Sequence, residues 1–389
     1  MAMDDLLLAD ALLPDGRRAD VADAGRGGAT RQRIDLGGRL LLPGLIDGHL
    51  HLDKTLLGAG WIPHQGEGTV RSRIAGEKAI QDRIGLPLRE RAENLLRLAL
   101  SHGTTTLRTH VDIDPDIGLS RLLPILDLRQ AWADRIAIQI VAFPQSGMLP
   151  GTVELLDAAL SEGADLLGGV DPIGIDGDMD GPLDALFGLA GKRGVGLDIH
   201  LHDRGEDGAR SIEAMAARTR AAGMEGRVVV SHGFCTADAD GARFDGLARS
   251  MVEAGMALMT HGGAGRPIVP VAALRAAGVT VFAGSDNVRD SWSPYGNGDM
   301  LERAMLIGWR SGFRRDDEIA VAFDLCTGAA ARALGVDAGR IEAGAPADLV
   351  AIEAGGIPEA VVARPRERLV LKAGRLVHGG FSTIKSQPS

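Results

Sequence analysis

The chain has 389 residues and a formal net charge of −10 at pH 7, an acidic balance that argues against an electrostatic nucleic-acid surface. Its two cysteines, Cys235 and Cys326, are too few for a disulfide framework, which places the expected home of the protein in a reducing cytoplasm. No run approaches the ~18 consecutive apolar residues of a membrane span, so the expected partner is a small molecule rather than a membrane or nucleic acid.

Residues 1–40 hold short β-like pieces, Asp5–Leu13 and Gln32–Leu42, around a Gly/Arg-rich turn at Gly25–Gly28. From residue 41 the rhythm changes to a short apolar strand, a polar residue at its end, and then a helix-length stretch. Eight strands fit that description: Leu41–His51, Thr104–Asp112, Ile136–Phe143, Leu166–Asp171, Val195–His200, Val228–His232, Met256–Thr260 and Val279–Asp286. Segments with helical spacing, such as Arg89–Leu100, Ser120–Asp134, Gly208–Ala222 and Asp240–Ala254, lie between them. Alternating strand and helix implies a parallel sheet, and eight units imply a closed (β/α)8 barrel, with an open doubly wound sheet as the alternative. Gly339–Leu376 reads as β again and can pair with the N-terminal strands. The expected layout is thus a barrel over 41–337, a small β domain from 1–40 and 338–380, and a frayed tail at 381–389.

The stretch Leu41–Lys54, LLPGLIDGHLHLDK, ends in His49 and His51. Positions i and i+2 of a strand share a face, so both imidazoles aim at one point, which is the start of a metal site. Active sites of such barrels lie at the C-terminal strand ends. The polar residues there are His49, His51, His110, Asp112, Gln145, Asp171, His200, His202, His232, Thr260 or His261, and Asp286. Seven of the ten histidines in the chain fall in this set, a concentration that scattered core histidines would not show. A divalent metal on His49, His51, His200 and Asp286 leaves a position for water. Such a metal brings the pKa of its water from ~15.7 towards ~7 and so supplies hydroxide at neutral pH.

The motifs LPGLIDGHLHLDK, RTHVDID, IQIVAFPQSG, LDIHLHD, VVVSH and GSDNVRDSWSPYGNGDM, in that order, resemble the amidohydrolase superfamily. Within it they resemble the cytosine deaminase branch, including its s-triazine aminohydrolases. The resemblance implies an α/β architecture, a TIM barrel with a small β-sandwich built from both termini. It further implies one divalent metal ion per chain, Zn or Fe, on His49, His51, His200 and Asp286. His232 would polarise the attacking water and Asp286 would accept its proton. Gln145 stands where binuclear relatives carry a modified lysine, which implies a single ion. Gln145, Asn287, Trp292 and Lys54 become candidates to grip a planar, nitrogen-rich ring. One departure bears on the proton shuttle: the deaminase pattern has Glu three residues after the strand-five histidine, and here that residue is Asp203. The shorter side chain of Asp203 moves the expected shuttle role towards His202, with Asp203 as the alternative.

The expected activity is metal-dependent hydrolysis of an exocyclic C–N bond on an aminated heterocycle, with hydroxide attacking the ring carbon and ammonia or an alkylamine leaving. A pyrimidine deaminase and an s-triazine N-alkylaminohydrolase compete within that expectation. A metal-dependent binding protein without catalysis is the alternative of another class. A homo-oligomer is expected.

Overall fold

Both ends of the chain contribute strands to one sheet. The computed structural model describes residues 5–22, 31–64 and 68–380, and the tail expected to fray at 381–389 lies outside them. Strands β1 (Asp5–Leu12), β2 (Arg18–Ala22), β3 (Arg31–Asp35) and β4 (Leu40–Pro43) come from the N-terminal side. The barrel follows as β5 (Leu45–Leu50), β6 (Thr104–Asp112), β7 (Ala137–Phe143) and β8 (Leu166–Val170), then β9 (Gly196–Leu201), β10 (Val228–His232), β11 (Ala257–Thr260) and β12 (Thr280–Ala283). Strands β13 (Leu349–Ile352), β14 (Arg368–Lys372) and β15 (Arg375–His378) return to the first sheet, whose order is β15-β14-β13-β4-β1-β2 with β3 beside β1.

Strand alternation divides that sheet between two cores. Leu40 and Leu42 of β4, with Val350 and Ile352 of β13, face the main core of the barrel. Leu41, Leu349 and Ala351 face the other way, onto Leu6, Leu8 and Ile34 of β1 and β3. The small domain thus has a core of its own while its inner face rests on the barrel.

The expected first barrel strand, Leu41–His51, is in fact two strands. Pro43 offers no N–H to continue a ladder. Gly44 then passes so close to β6 that an added Cβ would fall 2.2 Å from Thr105 Oγ1. The chain changes sheets at this pair and enters the barrel as β5.

The eight barrel strands are parallel and neighbour one another in chain order. Inside, Ile46, Val229, Met259 and Phe282 pack on Ala329, Ala330 and Leu334 of the helix Gly328–Leu334. Outward-facing residues such as Val228, Val230, Leu258 and Val281 pack in the main core with the surrounding helices. The seam between β12 and β5 is closed sparingly. Asp286 N donates to His49 O at 2.7 Å, and Leu50 and Asp286 form an isolated bridge. Glycine is required on both sides, since a Cβ on Gly284 would lie 2.6 Å from His49 O and one on Gly48 would lie 2.5 Å from Phe282 Cδ2.

Residues between β5 and the helix α2 (Leu88–Ser101) include α1 (Val70–Ile80), which lies over the barrel mouth. Thr69 caps α1, its Oγ1 accepting from Ser72 N at 3.2 Å. Ile74 and Glu77, three residues apart, are its buried positions. Ile74 packs on Phe143, Val170 and Ile175 at the strand ends, with Val70 and Trp292 alongside. No helix among the described residues is long and apolar enough to cross a membrane.

Candidate metal centre

The C-terminal strand ends bring the expected residues together. His49 lies within β5 and His51 just beyond it; His200 is in β9, and His232 ends β10. Asp286 follows β12 at the seam. Three non-glycine residues here have positive φ: Asp171 at 29°, His232 at 76° and Asp286 at 60°. Such backbones cost of order 1–3 kcal/mol each and persist where the surroundings fix them. Their clustering at one barrel mouth marks a built site.

His51 Nε2 lies 3.4 Å from Asp286 Oδ1 and 3.4 Å from His200 Nε2, and His49 Nε2 lies 3.6 Å from the same Asp286 oxygen. Ligand atoms about 2.1 Å from an ion at tetrahedral angles stand about 3.4 Å apart, so these spacings fit a shared cation. A looser set, His49, His200, His232 and Asp286, has all its ligand atoms within 4.8 Å of one another. A spread of 4.8 Å exceeds the edge of such a tetrahedron, and the shorter spacings match it. The residues therefore could hold a metal ion.

Hydrogen bonding behind the site fixes one ring. Ser231 Oγ donates to Asp198 Oδ1 at 2.6 Å and lies 2.9 Å from His49 Nδ1. A hydroxyl has one proton, so His49 must donate from Nδ1 to Ser231. Its Nε2 is then a bare lone pair, and that atom is buried without a hydrogen-bond partner. His232 Nε2 is likewise buried and unpartnered. A ring of unpaired acceptors around one point is costly unless a cation fills it. His110, Asp198 and His49 form a second close group behind the first. Asp198 there is bound by Arg108 at 2.9 Å and by Ser231, so this group reads as support for His49.

Burial pushes His51, His200 and His232 well below the ordinary histidine value, and it brings His110 and His261 down to about 4. Neutral imidazole is the ligating form. For Asp286, burial works upward, but the surrounding imidazoles, His232 first and then His49 and His51, outweigh it and hold the carboxyl well below its usual range. His202 behaves oppositely to its neighbours. Burial disfavours its charge, yet the Asp171 carboxylate, 2.7 Å from its Nδ1, prevails and raises its pKa.

A pocket of about 880 Å³ opens above these groups, with His51, His200, His202, His232 and Asp286 at its floor. Lys54, Gln145, Asn287 and Trp292 also line it. Asp203 does not line it: its Oδ2 accepts from Gly174 N at 2.9 Å, and burial raises its pKa. Asn287 donates to Asp290 Oδ2 at 2.7 Å, which fixes its amide.

Sequence reasoning did not single out Glu77, Ser231 or Asp198. Glu77 of α1 is buried with its Oε2 accepting from Trp292 Nε1 at 2.7 Å and from Gln145 Nε2 at 3.3 Å, and standing 3.5 Å from Lys54 Nζ. Arg121 Nη1 donates to its Oε1 at 2.8 Å. Burial works against the Glu77 charge, but Lys54 and Arg121 bring its pKa down to about 2. Asp198 did leave a signal, as a charge in the middle of the apolar strand LDIHL and two residues before His200.

The chain is similar to several known proteins along most of its length. The amidohydrolase family model matches residues 89–378. The N-isopropylammelide isopropyl amidohydrolase of Pseudomonas sp. (strain ADP) is 33% identical over 361 residues, covering 90% of this chain and 89% of that one. The crystal structure of N-isopropylammelide isopropylaminohydrolase from Burkholderia multivorans superposes with a TM-score of 0.92 at 44% identity, covering 96% of this chain and 98% of that one. That of 5-methylcytosine deaminase from Klebsiella pneumoniae, liganded with phosphonocytosine, gives a TM-score of 0.82 at 28% identity over 98% of this chain and all (100%) of that one. With its barrel, its mouth of histidines and these matches, the chain belongs to the amidohydrolase family.

Proposed function

We propose that this enzyme hydrolyses an exocyclic C–N bond of an aminated nitrogen heterocycle, releasing ammonia or an alkylamine. The observation that carries the reading is that His49 and His51 Nε2 lie 3.6 and 3.4 Å from Asp286 Oδ1 and His200 Nε2 lies 3.4 Å from His51 Nε2, by a pocket sized for a small molecule. In this reading those four residues hold one divalent ion, Zn or Fe, and Gln145 leaves no lysine for a second. A bound divalent ion supplies the Lewis acidity that makes water a nucleophile at neutral pH.

The chain's own groups do the rest. Asp286 takes the proton of the attacking water, and His232 offers it the unpartnered Nε2. His202 delivers a proton to the leaving amine. Asp171 accepts from its Nδ1–H, which turns Nε2 to the pocket, and also accepts from the His202 backbone N–H. Asp203 stays bound to Gly174 and plays the lesser part. Lys54, Gln145, Asn287 and Trp292 hold the ring.

Of the two ring classes we favour an N-alkylamino-s-triazine over a pyrimidine. Support comes from the 44% identity and TM-score of 0.92 to the Burkholderia enzyme, against 28% and 0.82 for the 5-methylcytosine deaminase. The test is amine release by purified, metal-loaded protein offered N-alkyl ammelides, ammelide, cytosine, 5-substituted cytosines and isocytosine. Turnover on at least one of them, abolished by chelation and restored by Zn or Fe, is the expected result. Absence of amine release from every ring would overturn the reading in favour of a binding protein.

A further inference from the structure

We infer that Arg266, on the loop after β11, binds a carboxylate carried by the leaving amine, so that the substrate is a heterocycle whose exocyclic nitrogen bears an acidic side chain. The inference rests on the proposed aminohydrolase reading and goes on to say which kind of amine is released.

The charges of the pocket wall do not balance. Among the described residues its carboxylates are Asp286 and Glu302, whereas Lys54 and four arginines line it. Glu302 Oε2 accepts from Asn297 Nδ2 at 2.9 Å. Lys54 stands between Glu77 and Asp112, at 3.5 and 3.2 Å. Arg73 donates to Trp292 O at 3.5 Å, and Arg303 donates to Ser285 O at 3.1 Å and to His261 O. Arg310, which ends the helix Met300–Arg310, donates to the carbonyls of Gly263 and Arg266. Arg266 remains: its side chain has no hydrogen bond or ion pair with any described residue.

An exposed arginine is ordinary, but the place of this one is fixed. Gly262 and Gly265 have φ of 61° and 78°, and a Cβ on Gly263 would lie 2.3 Å from His261 Nε2, so the chain curls tightly over that ring. Arg310 pins the curl at two carbonyls. Arg266 also stands near enough to His202 for its charge to oppose the pull of Asp171 there. In the proposed reaction His202 meets the leaving nitrogen, so a chain carried by that nitrogen comes to Arg266. A pocket of about 880 Å³ is larger than one six-membered ring fills and leaves room for that chain. A guanidinium fork matches a carboxylate, and a positive mouth on a protein of net charge −10 concentrates such anions. The step balances as simple hydrolysis. Water leaves its oxygen and one proton on the ring carbon, and the nitrogen departs with the C–N electron pair and the other proton, as an amino acid.

The test pairs N-(2-carboxyethyl)ammelide with its neutral twin, N-(2-carbamoylethyl)ammelide, which has the same length and nearly the same shape. Metal-loaded protein is assayed for kcat/KM on each, by amine release. Wild type should favour the acid by at least ~10-fold at low ionic strength, and the preference should shrink as salt is added. Arg266→Ala should bring the ratio to one or below, and Arg266→Lys, which keeps the charge, should retain part of it. Damage to the loop as a whole would slow both rings alike and leave the ratio unmoved. A carboxylate drawn by the metal instead would keep its advantage in Arg266→Ala. A wild-type ratio near one, or a preference that survives Arg266→Ala, would therefore overturn the inference and leave the proposed function standing. So would failure on both twins by protein that releases amine from another ring. If no ring of any kind is hydrolysed, both fall.

Discussion

Ser231 Oγ stands 2.9 Å from Nδ1 of His49 and donates its own hydrogen bond to Asp198, so a serine buried in the barrel decides which nitrogen of His49 carries the proton. Ser231→Ala should therefore leave the fold intact and lower metal affinity about 10–100-fold, the usual effect of losing a group that orients a ligand. Competition against a chelator of known affinity measures it. Unchanged affinity would mean that the His49 tautomer is set elsewhere.

Asp286→Asn should remove most turnover, with circular dichroism unchanged. An amide cannot take a proton from water, and positioned proton transfer contributes ~10²–10⁴ in rate. A kcat within a few-fold of wild type would place the base on another residue.

His202 and Asp203 are adjacent but differently placed. His202 lines the pocket, and Asp203 is turned to Gly174 N. His202→Asn should cost ~10²–10⁴ in kcat while metal content stays near one per chain, whereas Asp203→Ala should cost much less. A larger loss in Asp203→Ala than in His202→Asn would move the shuttle to the carboxylate.

Glu77 also predicts a pH dependence. Its pKa is about 2 in the fold against an ordinary 4.5. A depressed carboxyl adds stability that is complete above the higher value and is lost as pH falls towards the lower one. Glu77→Gln should accordingly be less stable than wild type at pH 7, and the gap in Tm should narrow between about pH 4.5 and 2. A gap that stays constant across that window would show that the Glu77 charge is not stabilising.

Much of the barrel was legible because strand ends announce themselves. An apolar run closing on a polar residue marked seven of the eight strands, Ile136–Phe143 alone reaching its polar residue, Gln145, just past its end, and the one-residue spacing of His49 and His51 put them on a common face. The break between β4 and β5 was readable too, since Pro43 cannot donate within a ladder, but the apolar run on either side masked it. Glu77 was not legible. Its weight comes from Gln145 and Trp292, 68 and 215 positions away in sequence, and nothing in VRSRIAGEKAI shows which way the helix faces. Asp203 shows a related limit: alternation puts it opposite His202, but only the loop at Gly174 shows what it meets there.

The barrel seam carries a mechanical consequence. His49 and His51 stand on one lip, and Asp286 on the other, with one backbone bond and one isolated bridge between the strands. An ion shared by the two lips acts as a clasp on a hoop, so stripping it should loosen the hoop at that point first. Deuterium uptake after chelation should then rise at 48–50 and 284–286 while the continuous ladder from β6 to β7 stays protected, well before any helix melts.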